Sequence, residues 1–309
     1  MKVAALAGGV GAGKLLRGLV RAVDPSDVTV IGNVADDMVH LGLRISPDLD
    51  SVMYWLAGAM DRERGWGRAG DTFRAMEALR GLGGAAWFSL GDLDLATHLH
   101  RTERMGNGLT LSEATAELCE RLGVPCRVLP VTNDPVQTWL DTEGEELPFQ
   151  IWWVRYGAEP AVRQIHFRGA DEAAPAPGVL EAIEEADTVM ICPSNPVVSI
   201  MPILAVPGIR EALRSRRDRV VGISPIVAGA PLQGMADRVM PVMGLEVSAA
   251  GAAEAYRGLL GTWVVDERDR DLAPKIEERE EVRVAVTDTI MTDDAAAERL
   301  ARVALETLG

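Results

Sequence analysis

The chain has 309 residues, 48% apolar and 25% charged, an ordinary globular composition that excludes general disorder. Asp and Glu outnumber Lys and Arg 46 to 31, a net charge of −15. A field of that sign repels a phosphate backbone and argues against nucleic acid as a partner, while a small phosphorylated ligand needs only a local donor cluster. Lysine occurs only at Lys2, Lys14 and Lys275, which makes Lys14 conspicuous. Cys119, Cys126 and Cys192 are too few and too scattered for a disulfide framework or a zinc site. No run approaches about 18 apolar residues, and no signal peptide is expected, so the expectation is a cytoplasmic chain with no membrane span.

In chain order, residues 3–7 read as a strand, 8–14 as a glycine-rich turn, 15–23 as a helix and 28–32 as a strand. Further strands are expected at 86–90, 188–192, 220–224 and 282–286. Helices are expected at 51–60, 71–82, 92–104, 111–122, 178–186, 208–216 and 294–308. This alternation predicts an α/β fold with a doubly wound, mostly parallel, Rossmann-like sheet. The rhythm breaks between about 126 and 170, where 127–129, 136–140, 149–155 and 162–167 read as an inserted antiparallel β subregion. Residues 141–144 form its hairpin turn, and 173–177 lead back to the main sheet. One domain over 1–309 is expected. The charge-dense stretch 266–281 reads as a solvated face.

Three segments carry chemistry. Gly8-Gly-Val-Gly-Ala-Gly-Lys14 follows a strand and opens a helix, so its amides can converge on an anion. It has P-loop spacing, but Leu15 stands where Ser or Thr would hold Mg²⁺. A dinucleotide fingerprint also falters, because the next strand ends in Gly32-Asn33 rather than an acid. A phosphate cradle of neither standard type, or a plain βα turn, remains.

The second segment is Asn33-Val-Ala-Asp-Asp37, with His40, Arg44 and Ser46-Pro-Asp-Leu-Asp50. Its four carboxylates suit a hard cation bound through oxygen, usually Mg²⁺, although Asp48 or Asp50 can instead cap the following helix. The third comprises two turns at strand ends, Cys192-Pro-Ser-Asn-Pro-Val-Val-Ser199 and Ser224-Pro-Ile-Val-Ala-Gly229. Their Ser and Asn side chains suit a base edge or sugar, but are also ordinary turn chemistry. His98 and His100 diverge on a helix, so zinc is not expected. Trp152 and Trp153 are expected to straddle a strand, and Trp66, near Arg62 and Arg64, is a candidate for contact with a planar ligand.

These segments, in this order, resemble the 2-phospho-L-lactate transferase family of coenzyme F420 biosynthesis. The most specific stretches are Gly32-Asn-Val-Ala-Asp-Asp37 with His40, Leu43-Arg-Ile-Ser-Pro-Asp-Leu-Asp50, and Leu90-Gly-Asp-Leu-Asp-Leu-Ala-Thr-His98. Pro193-Ser-Asn-Pro-Val-Val-Ser-Ile200, Ser224-Pro-Ile-Val-Ala-Gly229 and Thr287-Asp-Thr-Ile-Met291 extend the likeness over essentially the whole chain. Arg64-Gly-Trp-Gly67 and Trp152-Trp-Val-Arg-Tyr156 look most like its actinobacterial-type phosphoenolpyruvate transferase branch.

The resemblance implies a Mg²⁺-dependent, homodimeric transferase. Its donor would be a guanosine diphosphate ester of a three-carbon acid, and its acceptor the deazaflavin FO (7,8-didemethyl-8-hydroxy-5-deazariboflavin). It implies Mg²⁺ on Asp36 and Asp50, the catalytic acids, with Asp50 alternatively orienting the attacking hydroxyl. Gly8, Gly9, Gly11 and Lys14 would hold phosphates. Pro193, Ser194, Asn195, Ser224 and Gly229 would border the nucleotide or the deazaflavin, and Asp37 and His40 would contact a substrate.

Two positions depart from the family's usual pattern. Ala12-Gly13 swaps the small residues of the first loop, and Ala35 replaces a glycine whose φ, if positive, a Cβ would strain. Rival readings are a nucleotide-sugar-binding regulator of the same superfamily and an ATP-dependent kinase.

Overall fold

The computed structural model describes residues 1–308. Its centre is a sheet of seven strands: β1 (Val3–Ala7), β2 (Val28–Gly32), β3 (Arg127–Pro130), β4 (Thr188–Ile191), β5 (Val220–Ile223), β6 (Thr262–Asp266) and β7 (Arg283–Thr287). They lie in the order β7-β6-β5-β4-β1-β2-β3, and every pairing is parallel. The middle strands are continuous apolar runs buried on both faces, as a helix-covered parallel sheet requires. Strand order reverses at β1, which pairs with β2 on one side and β4 on the other. The carboxyl ends of β1 and β4 therefore border the crevice where such sheets bind ligands.

Five helices matter for the site: α1 (Gly9–Ala22), α2 (Pro47–Leu56), α3 (Asp92–Gly106), α4 (Leu111–Leu122) and α5 (Asp294–Glu306). Leu15, Leu16 and Leu19 bury one stripe of α1. A Cβ at Gly18 would lie 2.2 Å from the Ala297 backbone, so the missing side chain lets α1 and α5 meet closely. In α4, Thr110 and Glu113 form a reciprocal capping box, and left-handed Gly123 ends the helix.

The doubly wound parallel sheet and the antiparallel insertion are present, with several corrections to the local expectations. The helix after β1 starts at Gly9, so the glycines form its first turns rather than a long loop. Pro47, with its preset φ, starts α2 early, and Asp48 and Asp50 lie inside its first turn instead of capping it. Residues 86–90 form no strand. Residues 127–129 belong to the main sheet, as β3. The antiparallel sheet comprises Gln137–Thr142, Glu146–Pro148 and Val162–Arg168.

Ile151–Arg155 is a helical turn, so Trp152 and Trp153 do not straddle a strand; Trp152 is buried and Trp153 half-buried. β6 was not expected, although Gly261 and a fully buried apolar run mark it. The stretch 266–281 is not a plain solvated face. Asp266 accepts from the Thr289 amide and hydroxyl, both at 3.0 Å, and Asp269 accepts from the Ala228 amide at 3.0 Å. Among the described residues no single helix is long and apolar enough to cross a membrane.

Gly18→Ala should cost about 1–3 kcal/mol, because only backbone stands where its methyl would go. Gly106→Ala, helical with open space around it, should leave stability unchanged or slightly raised. Urea unfolding of both variants checks the α1–α5 contact.

Candidate active site

A cavity of about 890 Å³ opens at the carboxyl ends of β1 and β4. Gly8, Gly9, Gly11 and Lys14 form one wall, Pro193, Ser194 and Asn195 the adjoining one, and Ser224 lies further along the same sheet edge. The Gly8 amide donates to Ser194 Oγ at 3.2 Å, tying the first turn to the third. A Cβ at Gly11 would lie 2.2 Å from the Pro193 carbonyl oxygen, and one at Gly8 would lie 2.4 Å from Asp48 Oδ2. The glycines are thus needed for close approach, and they leave the positive end of α1 at the cavity. Lys2 and Lys275 pair with Glu185 and Glu246, at 2.7 and 3.8 Å, whereas Lys14 has no carboxylate partner among the described residues. It lines the cavity as an uncompensated cation.

The acids divide into two groups. Asn33, at the end of β2, accepts from the Ala35 amide at 3.0 Å and donates to Asp48 Oδ2 at 2.9 Å. Asp36 is buried beside them, and its Oδ1 has no hydrogen-bond partner. Burial, then the charges of Asp48 and Asp37, raise its pKa well above the carboxylate range. Burial pushes Asp48 up to about 6 against the pull of donors from Asn33, Ser199 and the Gly9 amide.

Asp50 is different. The fully buried guanidinium of Arg101 forks onto it, with Nη1 donating to Oδ2 at 3.1 Å and Nη2 to Oδ1. Arg101 Nη1 also lies 3.4 Å from His98 Nδ1, and His98 Nε2 lies 3.4 Å from Asp94 Oδ1. The Tyr54 hydroxyl donates to that same Asp94 oxygen at 2.7 Å. Burial would raise Asp94, but the hydrogen bond and charge of His98, with help from Tyr54 and Arg101, hold it below its ordinary value. Asp50, Tyr54, Asp94 and His98 all line the cavity.

The structure thus gathers Gly8, Gly9, Gly11, Lys14, Asp36, Asp50, Pro193, Ser194, Asn195 and Ser224 around one space. Three expected residues lie elsewhere. Asp37 accepts from Ser46 Oγ at 2.6 Å and borders a separate cavity of about 170 Å³. His40 packs edge-on against Trp87, ring centroids 4.8 Å apart, and lines neither cavity. Gly229 lies in a turn outside both cavities. Asn195 Oδ1 accepts from the Val197 amide at 3.0 Å, and Ser224 bonds within its own turn, so both shape backbone at the rim.

The departures from the family pattern are accommodated. Ala35 does not have positive φ, and a Cβ at Gly13 would meet the Trp55 ring at 2.2 Å, which explains the glycine there. Asp48 was weighed only as one of four carboxylates suited to a cation or as a cap, whereas Asp94, His98 and Arg101 were not singled out as site residues. The last three stand at i, i+4 and i+7 on α3, a spacing that puts them on one face. Cys192 is buried, its thiol pushed up by burial, and is no nucleophile.

Residues 3–307 match the family described as 2-phospho-L-lactate transferase CofD. The chain belongs to that family. It is 47% identical to a phosphoenolpyruvate transferase of Streptomyces coelicolor, covering 99% of this chain and 97% of that one. A Thermobifida fusca phosphoenolpyruvate transferase is 48% identical over 88% of each chain. The fold is shared with a solved UPF0052-family protein of Bacillus halodurans, with a TM-score of 0.62, 20% identity and 98% of each chain covered. The chain is a transferase of the phosphoenolpyruvate/2-phospho-L-lactate class.

Asp48 gives a test of the electrostatics. Its unfolded-state pKa is near 3.8 and its folded value about 6, so the unfolded chain ionises first as pH rises. Stability should therefore fall between about pH 4 and 6 and level off above, an Asp48 contribution of about 3 kcal/mol. Metal-free unfolding followed across this range should show that part of the slope lost in Asp48→Asn.

Proposed function

We propose that this transferase moves a phospho-three-carbon-acid group from a guanosine diphosphate ester to the terminal ribityl hydroxyl of FO, in coenzyme F420 biosynthesis. The hydroxyl oxygen attacks the phosphorus bearing the three-carbon group. The bond from that phosphorus to the bridging oxygen breaks, GMP leaves with that oxygen, and the hydroxyl loses its proton. The observation that carries the reading is that one cavity gathers an unpaired Lys14 and the α1 N-terminus with the buried acids Asp36 and Asp48, Asp48 lying against the glycine turn. A diphosphate needs cationic and amide donors on one side, and the acids need a cation between them and the ligand.

The donor set fits Mg²⁺. Asp36 Oδ1 is buried without a partner, and the crowded charge on Asp36 and Asp48 is what a hard oxygen-seeking cation neutralises. In this reading Asp36 anchors the ion with Asp48 as the second acid, and the ion would neutralise charge on the donor phosphates. Asp50, already compensated by Arg101, serves the alternative role of a fixed anion orienting the acceptor hydroxyl. Gly8, Gly9, Gly11 and Lys14 hold the diphosphate. The turns at Pro193–Asn195 and Ser224 border the nucleotide. An enolpyruvyl donor is favoured, because the relatives are named phosphoenolpyruvate transferases.

Purified protein should convert FO, with Mg²⁺ and the enolpyruvyl donor, to dehydro-F420-0 with one GMP released per turnover. Mass-resolved chromatography with the enolpyruvyl, lactyl and glyceryl donors in parallel checks this; no product from any donor would contradict it. Asp36→Asn should lower kcat by about 10²–10³-fold, as loss of a transition-state charge contact does. Lys14→Ala should raise the donor KM at least as much as it lowers kcat, with FO affinity retained.

A further inference from the structure

We infer that Trp66 is the stacking platform for the planar ring of the acceptor, a deepening that rests on the proposed reaction. The residue sits at the tip of a short closed loop. Met60 and Arg68 form a bridge at its base, the Asp61 amide donates to the Gly67 carbonyl at 3.1 Å, and the Gly65 amide donates to the Asp61 carbonyl at 2.9 Å. Gly65 and Gly67, on either side of the indole, have φ of +75° and +69°, with open space where a Cβ would go. They are glycines because the backbone turns left-handed there, and not because anything packs against them. That conformation leaves the indole at the cavity wall.

Trp66 is 41% exposed, the one exposed tryptophan of the seven. An isolated apolar side chain on a surface needs no explanation, but this one lines the cavity of about 890 Å³ and is braced. The Arg64 guanidinium lies 5.4 Å from its ring and 5.0 Å from that of Phe73. Arg64 is fixed in turn by Asp61 Oδ2 at 2.8 Å and the Arg68 carbonyl at 3.0 Å. Phe73 meets the indole edge-on, centroids 5.9 Å apart. A large apolar ring held in place yet left open suits a flat aromatic ligand.

The acceptor ring fits this place better than the guanine. The base of the loop rests on the acid wall, with the Arg68 guanidinium 5.7 Å from the Tyr54 ring, and Tyr54 bonds Asp94 beside His98 and Asp50. An acceptor whose hydroxyl is oriented by Asp50 carries its ring outward along that wall. Guanine needs hydrogen-bonding groups along its edge, and the exposed amide of Gln233, which lines the cavity, offers both a donor and an acceptor.

FO fluoresces, so its binding can be titrated directly, with GDP binding followed by calorimetry on the same preparations. Trp66→Ala should weaken FO about tenfold, in line with loss of one base–aromatic stack, and leave GDP within twofold. Trp66→Phe should keep FO within threefold, and Gly67→Ala, which retains the indole but strains its support, should weaken FO severalfold. In turnover, Trp66→Ala should raise the FO KM while kcat at saturating FO changes less than threefold. Unchanged FO affinity in Trp66→Ala would overturn the assignment, as would a loss confined to GDP. If the wild-type protein itself fails to bind FO, the acceptor reading falls, and the stacking role with it.

Discussion

The site depends on how closely two turns can meet where the sheet reverses direction. Gly11 leaves no side chain against the Pro193 carbonyl after β4, Gly8 leaves none against Asp48 and Ser199, and the Gly8 amide bonds Ser194 Oγ across the gap. A Cβ at either glycine would strike fixed atoms: a carbonyl at one, and a buried, hydrogen-bonded carboxylate at the other. From that contact follow the exposed amino end of α1, the position of Lys14, and the placing of Asp48 directly over the glycine turn. The parallel sheet supplies the crevice, and the glycines let two strand ends share it.

Placing several carboxylates around that crevice raises an electrostatic difficulty, which the fold resolves in two ways. Asp50 is neutralised permanently by a buried arginine whose planar fork uses both of its oxygens. Asp36 and Asp48 receive no such partner; burial raises both, and the charge of Asp48 adds to the rise at Asp36. The uncompensated pair lines the same cavity as the uncompensated lysine, while the compensated acid belongs to a separate cluster with His98, Asp94 and Tyr54. A cation and a phosphorylated ligand would complete the first group; the second is held by the Arg101 fork on Asp50 and the Tyr54–Asp94 hydrogen bond.

The strand–turn–helix alternation and the three strand-end turns were readable because each leaves a local mark: apolar runs, glycines and prolines at fixed offsets. The expected strand at 86–90 failed because its apolar residues, among them Phe88 and Leu90, join a small cluster with Met76 and Ile45 rather than a strand partner. Asp36 and the glycines were legible as site residues. The Asp50–Arg101 pair was not, since 51 residues separate the partners and only tertiary folding shows which of two nearby aspartates the arginine takes. His40 and Asp37 share a motif with Asp36, but the chain turns after Asp36, so sequence proximity did not carry them into the cavity.

The central claim is the division of labour between Asp36–Asp48 and Asp50, with the donor diphosphate at the β1–β4 crevice. A diffraction experiment on crystals soaked with GDP and Mn²⁺, which scatters anomalously, measures it most directly. The account predicts a manganese peak in contact with Asp36 and Asp48, phosphate oxygens on the Gly8–Gly9 turn and Lys14, and Arg101 still on Asp50. Manganese bound to Asp50 with Arg101 displaced, or a diphosphate away from the glycine turn, would contradict it.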